Sequence, residues 1–350
     1  MVPLNRVGGD GGANTRHYCG KYSGGQIAMV NYAKGLHEIG DGLFAWLQPD
    51  GGWGWSNAGL IVDGRPGDGA AALVDTLFDT ALTAEMLAGM ERATGFGAAT
   101  IGQVVNTHAN GDHTHGNHLL GGAEIIASEA SAREMEAFSP ALLAQLKAAG
   151  AAGQLGIAGR YFAEVFAPFD FAGVAERAPT RTFCGHERLI VGSKAAELIE
   201  VGPAHTAGDV LVHVPQGRAV FTGDILFIEG TPIMWAGPVS NWIAACERII
   251  AMDVDVIVPG HGPLTDKAGV REVAEYLAYI TGEAKARHAA GLSADAAARD
   301  IGLGRYASWK DAERIAVNVD TLYREFNNDP TPPDAIRLFG LMGQIYYDRR

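Results

Sequence analysis

The segment HANGDH, at residues 108–113, carries four polar side chains that could bind a metal ion. His108, Asn110, Asp112 and His113 have the spacing i, i+2, i+4 and i+5, which does not place all of them on one face of a helix. The spacing instead fits a loop that wraps around a cation. Imidazole nitrogens and carboxylate oxygens are normal zinc ligands, at roughly 2.0–2.2 Å from the ion. The segment therefore predicts a metal-binding loop.

Three further candidate ligands occur later in the chain, each beside a short apolar run typical of a β-strand. They are His205 in PAHTAGDV, Asp224 in FTGD and His261 in PGHG. Neighbouring glycines allow the backbone to turn sharply and bring a side chain close to an ion. Ligands at strand ends can also be held stiffly, as a metal site requires. We expect these three side chains to converge with the first group.

The pattern of apolar residues along the chain indicates packed sheets flanked by helices, which is an α/β fold. A polar, glycine-rich extension is expected at residues 1–35, followed by a catalytic domain at residues 36–265. Within that domain, an alanine-rich helical insert is expected at about residues 129–170. Residues 266–350 are expected to form helices that pack on the domain, cover its cleft or build a dimer interface.

The composition is that of an ordinary globular protein, with 350 residues, 47% hydrophobic residues and a formal net charge of −13. So acidic a surface repels phosphate backbones and argues against a nucleic-acid partner. No segment resembles a signal peptide or a bilayer-spanning run. The dispersed Cys19, Cys184 and Cys246 are typical of reduced thiols. We expect a cytoplasmic protein that acts on a small molecule, without a membrane partner, and that could form a homo-oligomer.

The motifs THANGDH, PAHTAGDV, FTGD and PGHG occur in an order that resembles the metallo-β-lactamase superfamily. The resemblance covers roughly residues 36–263. It implies an αβ/βα four-layer sandwich with metals in a shallow cleft, to which this chain adds the helical insert and the C-terminal helical extension. A bridging aspartate is similar to the glyoxalase II and lactonase branches rather than to the true β-lactamases.

The same resemblance divides the candidate ligands between two metals. The first metal would take His108 and His205, the second would take Asp112, His113 and His261, and Asp224 would bridge both. Asp75 matches a buried acidic residue that supports the ligands from behind in this family. Its alternative role is to cap a helix or a turn.

Asn110 departs from the family pattern, which usually has histidine at this position. An amide oxygen is neutral and binds zinc more weakly than imidazole does. We therefore expect the first metal position to be weak, differently coordinated or filled by another ion, such as iron or manganese. His115 or His118 could substitute as a ligand, although both lie where the next helix is expected to begin.

Aromatic residues near the motifs are candidates for a substrate pocket. Trp53 and Trp55 lie in a glycine-rich turn, where they could form a flap over the cleft or anchor a hairpin in the core. Trp235 follows Asp224 closely and could line the pocket or pack in the core. His115 could point into the cleft.

These residues predict a zinc-type metallo-hydrolase that uses one or two ions. A metal-activated water would attack the substrate, with Asp112 or Asp224 orienting that water. The apolar lining favours an ester, a lactone, an amide or a related small-molecule bond.

Two alternatives stay open on the sequence alone. His108, His205 and Asp224 form the two-histidine, one-carboxylate set that suits a mononuclear non-haem iron dioxygenase of the persulfide dioxygenase type. The chain could also be a non-catalytic binding protein that has kept the fold without metal. Iron together with oxygen consumption would favour the dioxygenase, and zinc would favour hydrolysis.

Overall fold

A computed structural model describes residues 31–136 and 139–350 of the chain. Most of the extension predicted at residues 1–35 therefore lies outside the described residues. In the described part, two β-sheets pack face to face, and helices cover the outer face of each sheet. This arrangement confirms the predicted α/β sandwich with a helical extension.

The first sheet contains seven strands in chain order: β1 (Gly35–Gly40), β2 (Leu43–Leu47), β3 (Ala58–Asp63), β4 (Ala70–Val74), β5 (Gln103–Val105), β6 (Glu124–Ser128) and β7 (Arg181–Phe183). Strands β1 to β4 pair antiparallel, and β4 to β7 pair in parallel. The parallel strands β4, β5 and β6 are mostly apolar because both of their faces are covered, whereas the edge strand β7 is partly exposed.

The second sheet contains five strands: β8 (His186–Val191), β9 (Lys194–Glu200), β10 (Val210–Val214), β11 (Ala219–Phe221) and β12 (Val256–Val258). Strands β8 to β11 pair antiparallel as neighbours, whereas β11 and β12 pair in parallel. Because β11 and β12 run in the same direction, their carboxyl ends lie at the same edge of the sheet.

Helices occupy the outer layers, the insert and the C-terminal region. They are α1 (Thr80–Thr94), α2 (Gly111–Thr114), α3 (Glu129–Met135), α4 (Pro140–Ala151), α5 (Gly156–Val165), α6 (Val239–Ala251), α7 (Lys267–Ala289), α8 (Ala294–Asp300), α9 (Ile315–Asn327) and α10 (Ala335–Asp348). Among the described residues, no helix combines the length and the apolar character needed to cross a membrane.

Alternating side chains build the apolar layers of the sandwich. In β3, Ile61 faces the core between the sheets, while its neighbour Leu60 faces the outer layer that includes Met86 of α1. Helices α6, α7 and α9 cover the second sheet through residues such as Trp242 and Leu322. Helices thus cover the outer faces of both sheets.

The HANGDH segment is partly helical rather than an irregular loop throughout. Helix α2 is a single turn that begins at Gly111 and contains Asp112 and His113. The predicted loop conformation therefore applies only to the residues before it. A short turn suffices here because adjacent ligands in the turn can point to different sides of one centre.

Asn57 joins the two halves of the sandwich close to this edge. Its Nδ2 donates to the carbonyls of Pro259 and Gly262, at 3.0 and 2.8 Å. Its Oδ1 accepts from the backbone nitrogen of Gln48 at 3.2 Å. These bonds hold the turn that carries His261 against the start of β3.

We expect Asn57→Ala to lower the free energy of unfolding by about 2 kcal/mol, because buried carbonyls would lose their partners. Urea denaturation measures this change. The matched control is Asn241→Ala on the exposed face of α6, which should change stability by no more than about 0.5 kcal/mol. Equal midpoints for the two variants would contradict the role given to Asn57.

Candidate metal centre

The candidate ligands lie at the edge where strands of both sheets end. His108 follows β5, while Asp224 and His261 follow the parallel strands β11 and β12. His205 lies in the connection between β9 and β10, a few residues before β10 begins. The remaining two candidates lie in α2. The fold thus brings together side chains from four separate segments of the chain.

Gly260 allows the turn after β12 to approach Asp224. A Cβ atom at this position would overlap Oδ1 of Asp224. The nitrogen of Gly260 also donates to the carbonyl of Gly223 at 2.8 Å. The first glycine of PGHG is therefore required by the close approach of two turns.

Asp224 lies at the centre of the group. Its carboxylate oxygens are 3.1 Å from Nε2 of His113, 3.4 Å from Nε2 of both His205 and His261, and 3.7 Å from Nε2 of His108. All five side chains are buried. Four imidazoles therefore present the same ring atom to one carboxylate in a volume shielded from water.

Two overlapping sets of three side chains have the spacing of a metal site. One set contains His108, His113 and Asp224, and the other contains Asp112, His113 and His261. Within each set, the candidate donor atoms lie within 4.8 Å of one another. His113 belongs to both sets, whereas the family resemblance assigns it to the second metal.

Asp75 orients two of the imidazoles from behind. Its Oδ2 accepts from Nδ1 of His113 at 2.9 Å and from Oγ1 of Thr107 at 2.7 Å, and its Oδ1 accepts from the Thr107 nitrogen at 2.7 Å. Oγ1 of Thr107 in turn accepts from Nδ1 of His108 at 3.0 Å. Because Nδ1 of both rings donates outward, Nε2 of both rings faces the centre and offers a lone pair there whenever the ring is neutral.

His205 is oriented in the same sense by a backbone carbonyl. Its Nδ1 donates to the oxygen of Ile233 at 2.6 Å. On the other side, Nδ2 of Asn110 donates to Nε2 of His205 at 3.0 Å. Asn110 thus lies at the centre but directs its amide nitrogen, rather than its oxygen, towards the neighbouring imidazole.

The other two histidines of this region point elsewhere. His115 is buried, and its Nδ1 lies 3.3 Å from the carbonyl of Phe78. His118 contacts Oγ1 of Thr80 through Nε2, at 3.2 Å, on the side of α1. Neither belongs to the two sets of candidate ligands among the described residues. These sets also leave out His205, but Nε2 of His205 lies 3.4 Å from Asp224.

The tryptophans expected near the cleft are packed against other aromatic rings. The Trp53 ring meets that of Phe166 edge to face, with centroids 5.6 Å apart, and that of Trp55 lies 4.9 Å from Phe169. Trp235 is partly buried and stacks on Phe339 of α10. The GGWGW turn is therefore anchored in an aromatic cluster instead of forming a free flap.

Two contacts of the centre carry no obvious mark in the sequence. Oγ of Ser56 donates to the carbonyl of Asp112 at 2.5 Å, and the ring of Phe227 stacks on His261 at 5.0 Å with an interplanar angle of 6°. Phe227 lies shortly after the FTGD motif, which is the only hint of its position. Ser56 is an ordinary polar residue in a glycine-rich turn.

Burial and mutual charge set the protonation of the ligands. Burial lowers the pKa of His108 and of His205, so both rings stay neutral near pH 7. Burial alone would raise the pKa of Asp224, but the surrounding imidazoles, foremost His261 and then His113, hold it well below its usual range. A neutral imidazole and an ionised carboxylate are the forms that bind a cation.

Two other imidazoles hold protons when no cation is bound. Burial lowers the pKa of His113 and of His261, but nearby carboxylates, foremost Asp224, outweigh it. The pKa of His261 rises to about 9. These protons partly neutralise the carboxylates, and a metal ion would replace them.

The residues present fit a bound cation. Nε2 of His108 is buried without a hydrogen-bond partner among the described residues, and the buried Nε2 of His113 and Oδ1 of Asp224 face only each other, at 3.1 Å, without forming a well-directed hydrogen bond. A buried polar atom without a partner costs about 1–3 kcal/mol. A cation placed between these atoms supplies the missing partner, and a mixed nitrogen and oxygen donor set suits zinc, iron or manganese.

Comparison with known proteins supports this interpretation at the level of the family. Residues 51–261 match the Metallo-beta-lactamase superfamily. The chain is 35% identical over 89 residues to the 2,4-dinitroanisole O-demethylase subunit alpha of Nocardioides sp. (strain JS1661), which is 23% of this chain and 26% of that protein. It is 36% identical over 56 residues to a hydroxyacylglutathione hydrolase of Brucella anthropi, which is 16% of this chain and 22% of that protein. The matched segments thus span about a quarter of these curated relatives.

Solved structures show the same fold at low sequence identity. The inverting sec-alkylsulfatase Pisa1 from Pseudomonas sp. superimposes with a TM-score of 0.63 at 18% identity, covering 86% of this chain and 52% of that chain. A metallo-beta-lactamase from Pontibacter korlensis superimposes with a TM-score of 0.50 at 18% identity, covering 69% of this chain and 98% of that chain. With the family match extending over more than half of its residues, the chain belongs to the metallo-beta-lactamase superfamily.

Proposed function

We propose that this chain is a metal-dependent hydrolase of small molecules, with its metal held by His108, Asp112, His113, His205, Asp224 and His261. The observation that carries the proposal is the convergence of four imidazole Nε2 atoms on one buried carboxylate. Hydrolytic relatives such as the hydroxyacylglutathione hydrolase support the reaction class.

A divalent metal bound here would lower the pKa of a water molecule to about 7 and polarise a substrate oxygen. Asp112 is the most exposed of the ligands, at 9% against 2% or less for the others. Its carboxylate therefore marks the open side of the centre, where a water and a substrate would arrive. There Oδ2 of Asp112, 3.2 Å from Nε2 of His261, is placed to accept a proton of that water and orient it.

The surroundings of the centre favour a substrate with an apolar portion. Trp53, Trp55 and Trp235 are each partly buried, so each keeps some surface exposed. The segments that carry them contact the ligands directly. Ser56, which follows Trp55, donates its Oγ to the Asp112 carbonyl at 2.5 Å, and Trp235 donates its backbone nitrogen to the His205 carbonyl at 3.0 Å. We propose an ester, lactone or amide bond attached to an apolar group.

Replacing His113, which is shared by both sets of candidate ligands, tests the metal and the reaction together. We expect wild-type protein purified without chelators to carry one or two zinc ions per chain, measured by inductively coupled plasma mass spectrometry. His113→Ala should lose the metal and reduce hydrolysis of an apolar ester by at least about a hundredfold, because metal stabilisation of the transition state is worth several kcal/mol.

The matched control is His186→Ala, which removes an exposed imidazole of β8 and should keep both metal and activity. Iron in the wild type together with oxygen consumption would favour the dioxygenase instead. Full activity without metal would refute the proposal.

Removing the carboxylate behind the ligands should weaken the metal without removing any ligand. We expect Asp75→Ala to raise the dissociation constant for zinc by about 10–100-fold, because His113 and Thr107 lose their common acceptor. Competition with a chromophoric chelator measures this constant. Asp68→Ala, at an exposed position, is the control. Zinc affinities that match in the two variants would remove Asp75 from this role.

Zinc binding should release protons at neutral pH. In the metal-free protein, the pKa of His261 is about 9, so this ring is protonated at pH 7 and must lose its proton to bind zinc. The apparent zinc affinity should rise from about pH 6 to about pH 9, by about tenfold per pH unit for each proton released. Isothermal titration calorimetry in buffers of different ionisation enthalpy counts the protons. A binding enthalpy that is the same in every buffer would contradict this assignment.

A further inference from the structure

Helix α9 presents a stripe of polar side chains on a buried face. Arg314, at the residue before the helix, and Asn318, Thr321 and Glu325 have the spacing i, i+4, i+7 and i+11, which places them on one side. Arg314, Asn318 and Thr321 are 2% exposed or less. A helix face buried inside a protein is normally apolar, so this stripe needs another explanation than packing.

Every side chain of the stripe bonds to the backbone of one segment, which consists of the irregular residues 231–238 and the first residue of α6, Val239; we name it the 231–239 loop. Nη1 of Arg314 donates to the Thr231 carbonyl at 3.0 Å, and Oε1 of Glu325 accepts from the Val239 nitrogen at 2.9 Å. These two contacts fix the ends of the loop. Because the loop is buried and lacks regular structure, its backbone groups depend on side chains for their partners.

Asn318 and Thr321 fix the middle of the loop. Nδ2 of Asn318 donates to the Pro232 carbonyl at 2.8 Å, and its Oδ1 accepts from the Met234 nitrogen at 2.8 Å. Oγ1 of Thr321 donates to the Met234 carbonyl at 2.7 Å. Asn318 therefore forms hydrogen bonds with the backbone on both sides of Ile233.

The residue between these two bonds is the one that orients His205. The Ile233 carbonyl accepts from Nδ1 of His205 at 2.6 Å, which keeps the Nε2 lone pair of that ring towards Asp224. The loop also holds the His205 backbone, because Trp235 donates its nitrogen to the His205 carbonyl at 3.0 Å. A shift of the Ile233 carbonyl would release the ring from this orientation.

We propose that Asn318 is a positioning residue for the metal centre, acting on His205 through the carbonyl of Ile233. This role rests on the proposed function, since it presupposes that His205 binds a metal. In this role, the C-terminal region positions a metal ligand in addition to covering the second sheet. Asn318 touches no ligand itself, so its effect must pass through the loop.

The test measures zinc affinity of the whole chain by competition with a chromophoric chelator. Asn318→Ala should raise the zinc dissociation constant by about tenfold, the lower end of the effects seen when groups that orient metal ligands are removed. Thr321→Val, which deletes one hydroxyl and leaves the side-chain shape, should raise it in the same direction by a smaller factor. This milder variant keeps the test available if Asn318→Ala does not fold.

The matched control is Thr281→Val on α7, where Oγ1 of Thr281 donates to the Leu277 carbonyl of the same helix at 2.6 Å. It removes the same chemical group and the same kind of bond without contact with the 231–239 loop. We expect its zinc affinity to equal that of the wild type.

A cycle with His205 separates positioning from a general loss of stability. In a His205→Ala background, Asn318→Ala should cause no further loss of zinc affinity, whereas in a His261→Ala background it should still cause the loss. If wild type binds zinc and Asn318→Ala or Thr321→Val binds it as tightly as Thr281→Val does, the positioning role is refuted and the proposed function stands. Equal further losses in both backgrounds would also refute the positioning role. Wild type that binds no zinc would overturn both.

Discussion

Six ionisable side chains are buried around one small volume at the edge of the sandwich. Removing charges from water is costly unless opposite charges or hydrogen bonds compensate for the loss. Here the carboxylates of Asp112 and Asp224 face four imidazoles, and several of the inward atoms have no other partner. Protons held by His113 and His261 neutralise the group only in part. A divalent cation is the partner that this arrangement lacks.

Rigid support on the outer side of the ligands follows from the same constraint. The outward nitrogen of His108 donates to Thr107, that of His113 donates to Asp75, and that of His205 donates to the carbonyl of Ile233. Each bond holds a proton on the outward nitrogen, so that Nε2 of the ring points inward and offers its lone pair when the ring is neutral. Asp75 and Thr107 follow the strands β4 and β5 of the sandwich. The Ile233 carbonyl belongs to the 231–239 loop, which α9 holds in place. The helical region is thus part of the site's framework as well as of the core.

The metal ligands could be predicted from the sequence more completely than the residues that surround them. Histidine and aspartate beside glycine at strand ends are rare patterns, so the ligands and the fold could be recognised from residue type and order. Asp75 was also expected from the family pattern, whereas the other supports could not be recognised, because Ser56, Phe227 and Asn318 are ordinary residues whose contacts join distant parts of the chain. The short helix at Gly111 and the packing of Trp53 into an aromatic cluster also depend on tertiary contacts that local patterns do not encode.

Anomalous diffraction at the zinc edge, from crystals of the full chain loaded with zinc, would locate the metal relative to these side chains. We predict one or two anomalous peaks at roughly 2.0–2.2 Å from Nε2 of the converging histidines and from a carboxylate oxygen of Asp224. A loaded crystal with its peaks elsewhere on the molecule, and with none between these side chains, would contradict this prediction.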